Sequence, residues 1–249
     1  MKNLIKYYFN KGAENYDKYS FVQKEICNHL ILMLSKYIKL NNISDNIQGL
    51  ELGCGTGEFS KLLSNMLKFN KLHLIDISEK MINLAKKKNK KKNCSFEVCD
   101  FDNFSRFSKF NFIFSNMSLH WSKNFEKLLK RILNGLKVDS IFLISFLNSS
   151  SFSYFRFLES SNIQVINKLP SIQEFQNILD NKKFFIDENE FTINKTYPNA
   201  LNFLRDLKKI GANGSLNKKK KKNLFSLRNK KDEISVNYTF NCMLLRRKR

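Results

Sequence analysis

The sequence predicts an α/β fold, in which a mostly parallel sheet carries helices on both faces. Three observations predict it. Short apolar runs alternate with longer amphipathic stretches between residues 47 and 146. A glycine-rich turn follows the first apolar run, and polar residues end the runs that come after it. Alternating strands and helices are typical of βαβ units, whose parallel strands are joined by right-handed crossovers.

The apolar periodicity places the elements in order along the chain. Residues 1–46 are expected to be helical, because apolar residues recur there at spacings of four and five from Phe21 to Ile38. Strands are expected near 49–52, 72–75, 95–98, 110–114, 141–146, 183–196 and 234–245, and helices near 57–68, 78–89, 122–136, 152–160, 171–180 and 199–210. We divide the chain into an N-terminal helical cap (1–46), an α/β core (47–148), and a lid with the C-terminal strands of the same domain (149–249).

Composition limits the class of protein. The chain has 249 residues, of which 42% are hydrophobic, enough for one sizeable core. No apolar run approaches the roughly 20 residues that span a bilayer, and the N-terminus lacks a secretory signal. Five cysteines without a CxxC pair indicate reduced thiols, and three scattered histidines give no metal site. We therefore expect a cytoplasmic protein that binds neither a membrane nor a metal. We also expect a monomer.

The net charge of +22 admits two interpretations. It would suit a polyanionic partner such as nucleic acid or an acidic protein. It would also result from compositional drift, since Lys, Asn, Ile and Phe are abundant throughout the chain. Two lysine runs, Lys86–Lys92 and Lys218–Lys222, are expected to be exposed. No separate RNA-binding domain is visible in the sequence, so we expect no stable nucleic-acid partner.

The sharpest motif is ELGCGTG, residues Glu51–Gly57, between a predicted strand and a predicted helix. Glycine permits positive φ and lets a ligand approach the backbone without meeting a Cβ atom. Free N–H groups at the start of the helix can then meet a polar or anionic group. A similar turn serves nicotinamide cofactors, so the turn alone leaves the cofactor open.

Polar residues follow the next three predicted strands. Asp76 ends the second strand, Asp100 and Phe101 follow the third, and Asn116 ends the fourth. Ligands of open α/β sheets bind at the carboxyl ends of the strands, and an acid about 20 residues beyond the glycines is placed to bind ribose. Each residue taken alone could instead be a turn or helix-cap residue.

The order ELGCGTG, LIDIS, CDF and SNMSLHW resembles the class I S-adenosylmethionine-dependent methyltransferases over at least residues 47–146. The resemblance implies a Rossmann-like sheet of seven strands with the last one antiparallel, a helical N-terminal and lid region, and S-adenosyl-L-methionine as cofactor. It also implies cofactor contacts by Glu51, Gly53, Gly55, Gly57, Asp76, Met81, Asp100 and Phe101. We add Asn116 at its strand tip and Tyr16, whose ring could meet the sulfonium.

Three further segments restrict the resemblance to one family within this class. The opening residues Tyr8–Asp17, the segment Ser115–Trp121 and the late segment Leu204–Ala212 are similar to the malonyl-acyl-carrier-protein O-methyltransferases of biotin synthesis. His120 stands where that family usually has glutamine, and Glu51 replaces a commoner aspartate. The resemblance implies methylation of the free carboxylate of a malonyl thioester, carried by an acyl carrier protein or by coenzyme A.

Such a reaction needs no catalytic acid or base, because the leaving group is a neutral thioether and the carboxylate is already ionised. We therefore name no catalytic residue. The carboxylate does need a cation, and Arg205 and Lys208 lie three apart on one predicted helix. Trp121 could line the substrate pocket, and Lys218–Lys222 could attract an acidic carrier protein. The alternative is that these cations are merely solvated and that the aromatic ring packs in the core.

Three other functions remain open. An RNA methyltransferase would suit the basic charge, although no Asn/Asp-Pro-Pro-aromatic motif occurs. A small-molecule methyltransferase acting on a quinone precursor or a free acid would need the same cofactor turn. A degenerate, non-catalytic cofactor-binding protein would keep the turn without turnover.

Overall fold

The computed structural model describes residues 2–41, 43, 46–159, 167–213 and 232–249, with side chains in α6 only through residue 156. Its helices are α1 (Lys2–Tyr19), α2 (Phe21–Leu40), α3 (Glu58–Met66), α4 (Glu79–Lys88), α5 (Phe125–Gly135), α6 (Ser153–Glu159), α7 (Ile172–Gln176) and α8 (Ala200–Lys209). Its strands are β1 (Ile47–Leu52), β2 (Phe69–Asp76), β3 (Cys94–Val98), β4 (Phe112–Asn116), β5 (Ile141–Leu147), β6 (Phe184–Tyr197) and β7 (Ile234–Arg247).

The strands form one seven-stranded sheet in the order β3-β2-β1-β4-β5-β7-β6. Strands β1 to β5 pair in parallel, whereas β7 runs antiparallel to both β5 and β6. This architecture confirms the predicted Rossmann-like sheet with its antiparallel last strand. The direction of winding reverses between β1 and β4, and a crevice at such a reversal is where open α/β sheets bind ligands.

Local signals fix where several helices begin. The side chain of Ser78 accepts a hydrogen bond from the backbone N–H of Met81 at the start of α4, over 3.2 Å. Asn124 and Asn199 cap α5 and α8 in the same way. Such caps satisfy N–H groups that have no partner within the helix, so these starts follow from the sequence nearby.

The central strands are buried on both faces. All seven residues of β5 are buried. Ile141 and Leu143 face a core formed with α2, α3 and α8, whereas Phe142 and Ile144 face a second core formed with α5 and α7. Successive side chains of a strand point to opposite faces, so an unbroken apolar run supplies both cores.

The helical region before β1 consists of two helices, separated at Ser20. Helix α2 packs on the sheet beside β5 and β7, whereas α1 packs against α4 and α8. Helix α1 therefore lies near the start of α4, at the carboxyl ends of the parallel strands. Within the described residues, no helix combines the length and apolarity that a membrane span requires.

Candidate active site

The glycine turn after β1 has the backbone conformation that its sequence predicts. Gly53, Gly55 and Gly57 have φ angles of 69°, 52° and 76°. A Cβ atom at Gly53 would lie 2.4 Å from Ser118 Oγ, so this glycine permits close packing within the protein. Among the described residues, a Cβ atom at Gly55 would come within 4 Å of Tyr16 alone, at 3.9 Å. Gly55 therefore leaves room beside the turn, which fits the approach of a cofactor to the backbone.

Asp76 at the end of β2 holds this turn in place. Its Oδ2 atom accepts the N–H of Gly55 at 2.9 Å, and its Oδ1 atom accepts the N–H of Ser78 at 2.8 Å. Burial raises the pKa of the carboxyl to about 6, against the lowering effect of these two hydrogen bonds. Asp76 thus joins the turn after β1 to the start of α4. Its contact with a ribose stays a prediction.

Glu51, the first residue of the motif, is only 1% exposed. Its Oε2 atom accepts a hydrogen bond from Ser60 Oγ on α3. Burial raises the pKa of Glu51 to about 8, although the bond to Ser60 lowers it. The carboxyl is therefore mostly protonated at neutral pH, and the structure places it against α3 inside the protein.

The residues after β3 contact the first turn of α1. Lys2 Nζ lies 3.0 Å from Asp100 Oδ1 and 2.8 Å from Asp102 Oδ2. It also donates a hydrogen bond to the Trp121 carbonyl oxygen at 3.2 Å, and it lies 4.7 Å from the centre of the Phe101 ring. Sequence reasoning missed Lys2, because nothing near it in the chain indicates a partner 98 residues away.

Met81 is buried on α4, whereas Asn116 makes hydrogen bonds to other elements at the end of β4. Met81 is 1% exposed on α4. The Asn116 side chain accepts a hydrogen bond from Ser145 Oγ at 2.7 Å and donates one to the Gln23 carbonyl oxygen at 3.0 Å. Asn116 therefore ties β4 to β5 and to α2, and a cofactor contact by either residue stays a prediction.

Helix α1 crosses the carboxyl ends of β3, β2 and β1 in that order. After Lys2 at β3, Asn10 Oδ1 accepts hydrogen bonds from Ser78 Oγ at 2.6 Å and from the Lys80 N–H at 3.1 Å, beyond β2. Near its end, Asp17 Oδ1 accepts the hydroxyl of Thr56 at 2.6 Å, beside the glycine turn. One helix thus covers the strand ends to which the sequence assigned the cofactor.

One lysine of the Lys86–Lys92 run also reaches this region. Lys88 Nζ lies 2.8 Å from both Asp17 Oδ2 and Glu58 Oε2, and 2.9 Å from Thr56 Oγ1. The expectation that the whole run is exposed is therefore wrong for Lys88, and it is also wrong for Asn89, which is 6% exposed. Lys88 ends α4, and its side chain reaches the start of α3 and the glycine turn.

The predicted substrate residues lie on two elements. Trp121 is half-buried in a turn after β4, and its ring packs edge-on against Phe9 with centroids 5.4 Å apart. Arg205 and Lys208 are exposed on α8, which packs against α1. The neighbouring Lys209 instead pairs with Asp206 at 3.0 Å. The roles of Trp121, Arg205 and Lys208 toward a substrate stay predictions.

One further candidate, His120, lacks a hydrogen-bond partner among the described residues at one ring nitrogen, and another candidate lies outside those residues. His120 Nδ1 is buried without a hydrogen bond among the described residues, and burial lowers the pKa of His120 to about 4. This imidazole is therefore neutral at physiological pH. Lys218–Lys222 lies outside the described residues. Across the described part of the chain, no group of acidic, histidine or cysteine side chains could hold a metal ion.

Comparison with known proteins connects this site to a family. Residues 43–183 match the family model described as a methyltransferase domain. The chain is 29% identical to malonyl-[acyl-carrier protein] O-methyltransferase 2 of Ilyobacter polytropus, over 95% of this chain and 91% of that protein. It is 31% identical to malonyl-[acyl-carrier protein] O-methyltransferase 1 of the same organism, over 88% of this chain and 81% of that protein.

Solved structures share the fold. The YcgJ protein of Bacillus subtilis aligns with a TM-score of 0.62 at 16% identity, over 88% of this chain and 98% of that one. The plantazolicin methyltransferase BpumL, solved in complex with SAH, aligns with a TM-score of 0.58 at 20% identity, over 100% of this chain and 95% of that one. The family model covers more than half of the sequence and the curated relatives align with most of it, so this chain belongs to the methyltransferase-domain family.

Proposed function

We propose that this chain transfers a methyl group from S-adenosylmethionine to the free carboxylate of a malonyl thioester on an acyl carrier protein, an early step of biotin synthesis. The names of its sequence relatives support this substrate. The glycine turn with its open side at Gly55 supports the cofactor.

One observation carries the proposal. The opening segment Tyr8–Asp17 and the late segment Leu204–Ala212 are the parts that resemble malonyl-acyl-carrier-protein methyltransferases, and the structure brings them together. A Cβ atom at Gly12 would lie 2.4 Å from the Gly211 backbone nitrogen, and one at Gly211 would lie 2.5 Å from the Tyr8 carbonyl oxygen. Because α1 also crosses the strand ends, the two segments form a single structure over these ends, which supports a shared role beside the proposed cofactor site.

The chemistry asks little of the protein beyond positioning. When bound, the cofactor supplies an electrophilic methyl group on a sulfonium centre. The nucleophilic carboxylate is ionised at neutral pH, so the chain needs no general base. Alignment of two bound reactants can contribute roughly 7–11 kcal/mol. Asp76, which fixes the glycine turn to α4, provides the rigid support that such alignment requires.

A positively charged side chain would distinguish a malonyl group from an acetyl group. A malonyl group differs from an acetyl group by one carboxylate, and burying that carboxylate without a cation would be costly. Arg205 and Lys208 are exposed cations on α8, the helix that packs against α1. An arginine fork can bind a carboxylate through two parallel hydrogen bonds.

The function is tested with purified protein, labelled S-adenosylmethionine and separate acceptors. We expect label on malonyl-acyl carrier protein, a smaller kcat/KM for malonyl-coenzyme A, and none on the acetyl carrier or on bulk RNA. Transfer to RNA alone, or cofactor binding without transfer to any acceptor, would contradict the proposal.

The substrate cation is tested by two alanine variants. We expect Arg205→Ala or Lys208→Ala to raise the KM for malonyl-acyl carrier protein about tenfold, the loss of roughly one charge-assisted hydrogen bond. The KM for S-adenosylmethionine should stay unchanged. Lys127→Ala is the matched control, since Lys127 is an exposed cation on α5, on the other face of the sheet. Equal small effects on both KM values would show that the mutated residue does not bind the substrate carboxylate.

A further inference from the structure

Lys2 has an unusual environment for a residue at the start of a surface helix. Its side chain is only 11% exposed, and the two carboxylates beside it are 14% and 15% exposed. An ammonium group has three N–H donors. Lys2 directs them at three acceptors: Asp100 Oδ1, Asp102 Oδ2 and the Trp121 carbonyl oxygen.

The Asp100 carboxylate and the face of the Phe101 ring, both occupied by Lys2, would also suit an adenine ring. Adenine binding to Asp100 and Phe101 would need an acceptor for the exocyclic amino group and a flat apolar face for the ring. Asp100 Oδ1 already accepts two donors, Lys2 Nζ at 3.0 Å and the Asp102 N–H at 3.0 Å. An edge of the Phe101 ring lies near Gly53, 3.7 Å from a Cβ atom built there, and Lys2 Nζ lies over a face of that ring.

We propose that Lys2 competes with the adenine amino group of the cofactor, so that cofactor binding displaces Lys2 and frees the first turn of α1. This inference rests on the proposed adenine contacts of Asp100 and Phe101. Asp100 Oδ1 has two lone pairs, and both are taken while Lys2 is in place, so the amino group can bond to that oxygen only after Lys2 leaves. A ring stacked on Phe101 likewise needs the space that Lys2 Nζ occupies above its face. The displaced ammonium moves into water, where it is fully hydrated.

The displacement is confined to the start of the helix. Asn10 and Asp17 hold the rest of α1 through Ser78, Thr56 and Lys88. Asp102 keeps two other donors, the Ser122 hydroxyl at 2.5 Å and the Lys123 N–H at 2.9 Å. The loop after β3 therefore keeps its conformation when Lys2 leaves. Only the first turn of α1 loses a contact that holds it in place.

Calorimetric titration with S-adenosylhomocysteine tests the competition without any acyl substrate. Lys2→Met keeps the length of the side chain and removes the competing charge. We expect this variant to bind about fivefold more tightly than the wild type, because no binding free energy is spent on displacing the ammonium. Lys11→Met is the control, since Lys11 is exposed on the same helix, and its affinity should equal that of the wild type. Equal or weaker binding by Lys2→Met would overturn the inference.

Amide hydrogen exchange gives an independent readout of the same event. In the wild type, S-adenosylhomocysteine should speed exchange of the amides of residues 6–8, which bond to carbonyl groups of the first turn of α1, while slowing exchange of the glycine turn. Slower exchange in both segments would show that Lys2 stays in place, and would overturn the inference. The proposed malonyl substrate could fail without affecting either result. If no variant bound S-adenosylhomocysteine, the cofactor assignment would fail together with this inference.

Discussion

Replacing Glu51 by glutamine should make the stability of the protein less dependent on pH. Glu51 is 1% exposed, and its carboxyl accepts a hydrogen bond from Ser60 Oγ. Glutamine has nearly the same shape and can keep that hydrogen bond, but it does not titrate. Glu51→Gln therefore isolates the cost of ionising this carboxyl inside the protein.

The magnitude follows from the pKa of Glu51. Burial raises this pKa from 4.5, the value for an unperturbed glutamate, to about 8 in the folded protein. Between these values the folded chain holds a proton that the unfolded chain has released, so stability falls as the pH rises. The cost is absent below pH 4.5 and complete above pH 8. At about 1.4 kcal/mol per pH unit, it grows by about 3 kcal/mol between pH 5 and pH 7.5.

Urea unfolding at pH 5, 6, 7 and 7.5 measures the effect. The free energy of unfolding of Glu51→Gln, relative to the wild type, should rise by about 3 kcal/mol across this range. Glu79→Gln is the control, because Glu79 is exposed in the first turn of α4 and its variant should follow the wild type. Parallel stability curves for Glu51→Gln and the wild type would refute the reasoning.

Three further variants test the region around α1. Gly12→Ala should lower the free energy of unfolding by about 2 kcal/mol, because its Cβ would lie 2.4 Å from the Gly211 nitrogen; helix propensity alone predicts a gain of about 1 kcal/mol, and such a gain would disprove the contact. Gly55→Ala, at φ 52°, should cost about 1–2 kcal/mol in strain and weaken S-adenosylhomocysteine binding at least tenfold; unchanged binding would exclude the turn from the site. Lys88→Met should cost about 1 kcal/mol in urea unfolding and exposed Lys87→Met less than about 0.5 kcal/mol; equal costs would count against the Lys88 network.

The sequence by itself determined the order and type of the elements. Each predicted strand is present, and the strand near 141–146 is observed at Ile141–Leu147. Periodicity and helix caps depend on neighbours within about four residues, so they can be recognised along the chain. The glycine turn was recognised for the same reason, since positive φ in a tight turn is a local requirement. The ends of the elements were predicted less closely than their order and type. For example, the helix expected over 171–180 is observed at Ile172–Gln176.

Only the tertiary structure decided how the candidate site is closed. Asp76 could be predicted at a strand end, but its bonds to the turn depend on β1 and β2 lying side by side. The contact of Gly12 with Gly211 and that of Lys2 with Asp100 join residues far apart in the chain. No local periodicity encodes such pairs, because they form only after strand order and crossovers have brought α1 across the strand ends.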